Sequence, residues 1–157
     1  MTIIPLTSPH RPEVDRYIRD EWGGPMIVSL GNLYDTSVLP GFAALDGDKL
    51  LGAVVYRVDG DECEVACIFS LVERIGVGRA LLDAVIAEAK TLGCRRVWLI
   101  TTNDNTKAIR FYQIYGFALR AVHIGSFAEV RRLKPGIPAN GIDDIPLEHE
   151  FEFEIVL

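Results

Sequence analysis

Two glycines in the stretch ERIGVGRALLDA, residues 73–84, are the first residues whose type and spacing could do chemistry. Gly76 and Gly78 begin a helical pattern, at positions where Ser or Asp would cap a helix better. Bare backbone lets an anion approach closely, and the unpaired N–H groups and dipole of a helix N-terminus favour negative charge. The pair therefore predicts an anion site. A tight turn with close packing is the alternative, since it also favours glycine.

Two common phosphate-binding motifs do not fit this stretch. A P-loop needs Gly-Lys-Ser/Thr at its end, but Gly78 is followed by Arg79 and Ala80. A dinucleotide-binding fingerprint needs a third glycine, and Leu81 stands at that position. The glycines must therefore be interpreted together with the elements around them.

Composition limits what the chain can be. A length of 157 residues with 49% hydrophobic residues predicts one domain over residues 1–157. The net charge of -6 argues against binding to nucleic acid. We expect no signal peptide and no membrane span, because the sequence has neither pattern. Three cysteines do not make a disulfide framework, so a cytoplasmic location is expected.

Periodicity and turn signals predict alternating strands and helices. Ser8 is a plausible helix cap, and Asp46-Gly47 and Asp59-Gly60 predict turns. Residues 26–41 are interpreted as an irregular loop with room for a short helix or strand, and residues 126–145 as a long connection. The strand–helix–strand unit over residues 62–101 predicts two parallel neighbours in a mixed sheet. The predicted strands are 2–6, 41–46, 49–58, 62–70, 95–101, 117–125 and 148–157, and the predicted helices are 9–22, 76–92 and one from Asn105 to Tyr115.

A second motif, NDNTKAIRFYQIYGF at residues 103–117, follows the glycine stretch by about 25 residues. Together, RIGVGRALL and the residues Asn105, Ala108, Phe111, Tyr112 and Gly116-Phe117 resemble the GNAT family of acetyl-CoA-dependent N-acetyltransferases. The resemblance spans at least residues 41–125. It implies an α/β fold with a mixed, mostly antiparallel central sheet of six to seven strands and flanking helices. It implies acetyl-CoA as cofactor and no metal.

The resemblance also implies where acetyl-CoA lies. Its pantetheine arm would pair with the strand backbone at Ile68, Phe69 and Ser70, and its pyrophosphate would sit on the loop amides. Glu73 departs from the family's Gln/Arg at that position, so Arg74 or Arg79 would supply the cation. Asn105 is interpreted both as a helix cap and as a cofactor contact. The implied loop residues are Ile75, Gly76, Val77, Gly78 and Arg79.

Acetyl transfer to an amine also needs a proton donor and a proton acceptor. Tyr112 matches the family tyrosine that protonates the departing thiolate, and a phenol with a pKa of about 10 is protonated at neutral pH. A core aromatic is the alternative. Glu64 is the candidate base, against the alternative of a solvated carboxylate near a hairpin, and His123 is a rival base. Strict alternation would place Cys63, Val65, Cys67 and Phe69 on one face of their strand, opposite Glu62 and Glu64.

The acceptor is predicted only as a class, a primary amine of a small molecule or peptide. The acidic side chains of the closing strand would suit a cationic amine at a substrate mouth, although an exposed strand face explains them equally. Trp22 and residues 23–35 occupy the segment that often walls the acceptor site in the family. A homodimer is an expectation from the resemblance. The alternative function is a non-catalytic acyl-CoA-binding or sensor module. The acidic residues are Glu148, Glu150, Glu152 and Glu154.

Overall fold

The computed structural model describes residues 1–7 and 9–157, so the predicted cap Ser8 lies outside the described residues. Over this part of the chain, seven strands form one sheet in the order β1-β4-β5-β6-β7-β9-β8, and β2 and β3 form a separate hairpin. The strands are β1 (Thr2–Pro5), β2 (Met26–Ser29), β3 (Asn32–Asp35), β4 (Gly41–Asp46), β5 (Lys49–Asp59), β6 (Glu62–Ser70), β7 (Arg96–Thr102), β8 (Ala118–His123) and β9 (Glu150–Val156). The helices are α1 (Arg11–Trp22), α2 (Val77–Thr91), α3 (Thr106–Tyr115) and α4 (Phe127–Leu133).

Helices cover both faces of the sheet. The stripe of α2 predicted from periodicity is buried, with Leu81 and Val85 fully inaccessible to solvent. On the opposite face, α1 buries Val14 and Ile18 against β4, β5 and β6. Gly93 ends α2 with a φ of +75°, a left-handed conformation that favours glycine.

Among the described residues, five of the seven strands of the large sheet have only antiparallel neighbours, and the other two, β6 and β7, pair in parallel with each other over a short stretch. The predicted parallel pair is confirmed, because β6 and β7 run parallel across the α2 crossover. The closing strand β9 inserts between β7 and β8 and is antiparallel to both. The expected α/β fold, with a mixed and mostly antiparallel sheet, is confirmed.

Strands β6 and β7 separate after a short contact. They pair only at residues 62–64 with 96–98, although β6 continues to Ser70 and β7 to Thr102. Beyond that point β6 pairs with β5, and β7 pairs with β9. Among the described residues no strand pairs with the other edge of residues 65–70. A wedge-shaped gap therefore opens in the middle of the sheet.

A β-bulge in β6 overturns the predicted alternation of its side chains. Val55 pairs with Cys67 and Tyr56 with Val65, which leaves Ala66 as the extra residue. Because one added residue exchanges the faces, Cys63 and Val65 pack in the α2 core, whereas Cys67 and Phe69 pack in the α1 core. The prediction that these four residues share one face is wrong beyond the bulge.

Two segments predicted as irregular contain regular structure. Residues 26–41 hold the β2–β3 hairpin, whose turn at Leu30 and Gly31 has positive φ at both positions, and a short 3₁₀ turn follows. Residues 126–145 hold α4, which buries Phe127 and Val130 against Leu147 and β2. Val28 of β2 packs against the buried face of α4, and this contact stabilises both segments.

Candidate active site

The loop before α2 leaves open space at Gly76. This residue is the N-cap of α2 with a φ of +81°, and no atom lies within 4 Å of a Cβ built there. The N–H groups of residues 77–79 have no intrahelical acceptor, because they belong to the first turn. Ile75 and Gly76 are exposed. The predicted anion site is therefore accessible along the backbone.

Gly78 has a different role from Gly76. A Cβ at Gly78 would lie 3.1 Å from Cζ of Phe111 in α3, which is tighter than an ordinary carbon contact. The packing interpretation of the glycine pair thus applies to Gly78, and the open-backbone interpretation applies to Gly76. A bulky residue at Gly78 would push on α3 as well as on any bound anion.

Two arginines stand beside this helix start. The Arg79 guanidinium lies 5.0 Å from the ring centroid of Tyr115, and the Tyr115 hydroxyl donates a hydrogen bond of 2.5 Å to Asp83. Arg74 is exposed and has a φ of +67°, which is rare for a residue with a side chain. Glu73 is exposed in the same loop. Both predicted cations are therefore close in sequence to the free amides and accessible to solvent.

The free edge of β6 carries the three residues predicted to meet the pantetheine arm. Phe69 stacks on Tyr17 of α1 with ring centroids 4.0 Å apart, and Ile68 packs toward α2. The exposed Ser70 donates a hydrogen bond of 2.6 Å to the carbonyl of Val72. These side chains hold the strand from both faces, and its unpaired edge can accept an added strand.

Tyr112 is a core aromatic residue of α3, and its phenol lies close enough to the Cys67 thiol of β6 to interact with it. Its ring packs against Phe117 and Phe153, and the side chain is buried. Burial, with a smaller contribution from the nearby Cys67 thiol, raises the pKa of Tyr112 far above its ordinary value. Within the described residues no group hydrogen-bonds to its hydroxyl. Burial also raises the pKa of Cys67 to about 12, so this thiol stays protonated at neutral pH.

The sequence NDN at residues 103–105 fixes three separate pieces of chain. Asn105 caps α3 as predicted, since its side chain accepts a 3.2 Å hydrogen bond from the N–H of Ala108. Asn103 accepts hydrogen bonds from the N–H groups of Glu148 and His149. The buried Asp104 accepts one of 2.8 Å from the N–H of Ile142. Sequence reasoning missed Asn103 and Asp104, whose partners lie about 40 residues away along the chain.

Glu64 is buried, so the interpretation as a solvated carboxylate is wrong. Ser29 donates a hydrogen bond to one carboxylate oxygen, and Arg57 donates two to the other, at 3.0 and 3.3 Å. The side chain is only 3% exposed. Burial raises the pKa of Glu64, while the bonds from Ser29 and Arg57 oppose that shift. The alternating pattern of β6 gave no sign of these partners.

A cavity of about 340 Å³ lies at the gap between β6 and β7. Glu64 and Ala66 line it from β6, and residues 100–102 line it from β7. Trp22 and residues 27–29 form another wall, and Phe127 and Val130 of α4 line it together with Lys134, which follows that helix. A second cavity of about 400 Å³ shares Ser29 and Glu64 with it. Glu64 thus stands between two cavities.

The four acidic residues near the chain end do not form one exposed face. Glu150 and Glu152 are buried, which overturns that expectation for both, whereas Glu148 is exposed. Arg96 pairs with Glu154 at 2.8 Å and with Glu152 at 3.5 Å. His123, the rival base, lies 3.5 Å from Glu152 and does not line the cavity. Glu150 does line it.

Comparison with known proteins identifies the fold. The model of the acetyltransferase (GNAT) family matches residues 7–117. The chain belongs to the GNAT family. It is 35% identical over 158 aligned residues to the uncharacterized protein YdhI of Bacillus subtilis, with 100% of this chain and 99% of that protein covered.

Solved structures agree with this GNAT assignment at the level of the fold. A Bacillus subtilis acetyltransferase in complex with CoA is similar with a TM-score of 0.71 and 19% identity, over 99% of this chain and 97% of that one. A GNAT acetyltransferase from Elizabethkingia anophelis with acetyl-CoA bound has a TM-score of 0.73 at 19% identity, with the same coverage. In the part of the chain that the structure describes, no helix is both long and apolar enough to span a membrane.

Proposed function

We propose that this GNAT protein transfers the acetyl group of acetyl-CoA to a primary amine of a small molecule or peptide, in a ternary complex. The observation that carries the proposal is the gap between β6 and β7. The start of α2 lies beyond one end of β6, and a cavity lined by buried carboxylates opens beside the same strand. We also propose that the acetyltransferase domain extends over residues 1–157.

Several features of this chain fit acetyl-CoA. The free amides of residues 77–79 and the open space at Gly76 suit a pyrophosphate, and Arg74 and Arg79 supply positive charge nearby. The unpaired edge at residues 68–70 suits a pantetheine arm that pairs like an added strand. Asn105 would contact the cofactor only in addition to capping α3.

Acetyl-CoA supplies an activated acetyl group, whose carbon–sulfur bond breaks as the new carbon–nitrogen bond forms. The attacking amine must lose one proton, and we assign its acceptance to Glu64, directly or through water. Glu64 lines the acceptor cavity, and Ser29 and Arg57 fix its orientation. Burial raises its pKa, which makes it a stronger base than an exposed carboxylate, and the hydrogen bonds from Ser29 and Arg57 favour its charged form.

Tyr112 is the proposed proton donor to the departing sulfur. Its phenol interacts with the thiol of Cys67, the residue that follows the bulge in β6. The raised pKa keeps the phenol protonated. The same dry surroundings would favour the neutral thiol over a thiolate, so both groups at this position prefer their uncharged forms.

A second candidate function is a non-catalytic acyl-CoA-binding or sensor module. The observation that favours it is the full set of partners around Glu64, because an ion pair with Arg57 and a hydrogen bond from Ser29 also satisfy a purely structural carboxylate. A sensor would keep the α2 loop and the edge of β6 but would have no need of a proton donor at Tyr112.

Release of free thiol from acetyl-CoA, measured against a panel of amines, tests these candidates when a thermal shift with CoA is run in parallel. The proposal expects both stabilisation by CoA and amine-dependent thiol release. Stabilisation without thiol release on a broad panel would favour the sensor. The absence of both would contradict the two functions together.

Two further expectations belong to this proposal. The three cysteines are free and buried, which supports a reducing compartment such as the cytoplasm. A homodimer stays a prediction from the family.

A further inference from the structure

Glu150 is a buried carboxylate that lines the acceptor cavity. Its side chain belongs to β9, and the residue is 6% exposed. Among the described residues it forms no ion pair within 4 Å. Burial raises the pKa of Glu150, and only the Ser126 hydroxyl and His123 oppose that shift.

The other charged groups of this cavity are already engaged. Glu64 is held by Arg57 and Ser29, and Asp104 accepts from Thr102 and from the N–H of Ile142. Lys134 donates to the carbonyls of Trp22 and Met26, so its ammonium is committed to the protein backbone. Glu21 is exposed at the rim. Glu150 is therefore the buried carboxylate of this wall to which the described residues bring no cation within 4 Å, although His123 faces it from β8.

A carboxylate removed from water without a cation raises the free energy of the folded protein. A ligand that brings a cation removes that cost on binding. From this we propose that Glu150 binds a second ammonium group of the acceptor, so that the acceptor is a diamine or a longer polyamine. This inference rests on the proposed function and names the substrate class of the same site.

The strand register places the two carboxylates at opposite ends of the cavity. Glu64 pairs with Trp98 and Glu150 pairs with Thr102 along β7. Four residues separate those positions, which is about 13 Å of strand. An amine near Glu64 and a second ammonium near Glu150 would therefore belong to one molecule only if several methylene groups separate them. The cavity of about 340 Å³ has room for such a chain.

Matched acceptors test this assignment. Thiol release from acetyl-CoA is measured with a series of α,ω-diaminoalkanes and with the monoamines of equal chain length. We expect kcat/KM to favour the longer diamines over their monoamines by about tenfold to a hundredfold, as for a charged hydrogen bond. In Glu150→Gln that ratio should fall to about one, and Glu150→Asp should restore part of it. Glu148→Gln, the same change at an exposed site two residues away, should keep the full ratio.

Direct binding separates this inference from the proposed transfer reaction. Calorimetry with the CoA-loaded wild-type protein measures a diamine against its matched monoamine, so the comparison does not depend on a variant that folds. Tighter binding of the diamine without thiol release would support the Glu150 site and contradict the acetyltransferase proposal. Acetylation of the diamine and the monoamine with equal kcat/KM would support acetyl transfer and overturn the Glu150 site. A Glu150→Gln protein that folds and keeps the diamine preference would also overturn it.

Discussion

The edge that would bind acetyl-CoA and the cavity that would bind the acceptor are built in different ways. The edge consists of backbone groups of residues 65–70 of β6 and of the first turn of α2, two segments that lie close together in sequence. The cavity consists of side chains from β2, β6, β7, β9 and two helices, and three of its carboxylates, Glu64, Asp104 and Glu150, are buried. A site made of backbone groups tolerates most side-chain substitutions, whereas one substitution in the cavity can remove a buried charge. The edge therefore suits a cofactor that many proteins share, and the cavity suits one particular acceptor.

The largest expected effect comes from the cavity. Glu64→Gln removes the proposed proton acceptor, and we expect kcat/KM for the amine to fall about a hundredfold to ten-thousandfold, with little change in acetyl-CoA affinity. Because burial raises the pKa of Glu64, the wild-type rate should fall as the pH drops through that raised value. In a pH profile measured with the same acceptor, the rate of the variant should not show this fall at low pH. Identical profiles for the two proteins would leave Glu64 a structural role only.

Tyr112→Phe tests the proposed proton donor. The ring contacts with Phe117 and Phe153 remain, so the fold should be kept while kcat falls about a hundredfold and KM for acetyl-CoA changes little. Tyr56→Phe is the matched control, since Tyr56 is also a buried tyrosine but packs against Phe42, away from the cavity lining. Equal turnover in wild type and Tyr112→Phe would remove Tyr112 from the mechanism.

A change at Gly76 tests the backbone edge. Gly76→Ala forces a side chain into a φ of +81°, at a cost of about 1–2 kcal/mol, and disturbs the amides that face the proposed pyrophosphate. We expect KM for acetyl-CoA to rise on the order of tenfold, with kcat retained at saturation. Gly93→Ala introduces the same strain at a φ of +75° at the far end of α2, again without atoms within 4 Å. If both variants weaken acetyl-CoA binding equally, the effect is one of stability and not of the loop.

The smallest expected effect concerns stability. Burial raises the pKa of Glu150, so the stabilisation from its protonated form is present below its ordinary pKa and is lost as pH rises through the raised value. Glu150→Gln stays neutral. Its Tm should exceed that of wild type by about 2–4 °C near pH 8, the shift that 1 kcal/mol produces in a domain of this size. The difference should close as the pH falls toward 4, and a constant difference would contradict this account.

The sequence predicted the features that depend on nearby residues and missed those that depend on distant parts of the chain. The three strands of the meander, the α2 helix, the Gly76 turn and the Asn105 cap depend on neighbours within a few residues, and all appear in the structure. The bulge at Ala66 depends on register with β5, and alternation alone cannot reveal an extra residue. The hairpin at residues 26–35 and helix α4 form against each other, although they lie about 100 residues apart.

The partners of Glu64 show the limit for side chains. Ser29 lies 35 residues before it and Arg57 lies across a turn, so neither appears in the pattern of β6 itself. Likewise the burial of Glu150 results from the insertion of β9 between β7 and β8, which no local signal indicates. A charged residue on an alternating strand looks exposed until the strand order is known.

Hydrogen exchange with and without acetyl-CoA, resolved to single amides, tests the central claim most directly. The claim is that backbone groups of β6 and of the first turn of α2 bind the cofactor. We predict slower exchange on binding for amides within residues 65–70 and 77–79, and unchanged exchange at the outer strand β8. Binding that leaves both segments unprotected, or that protects β8 instead, would contradict the account.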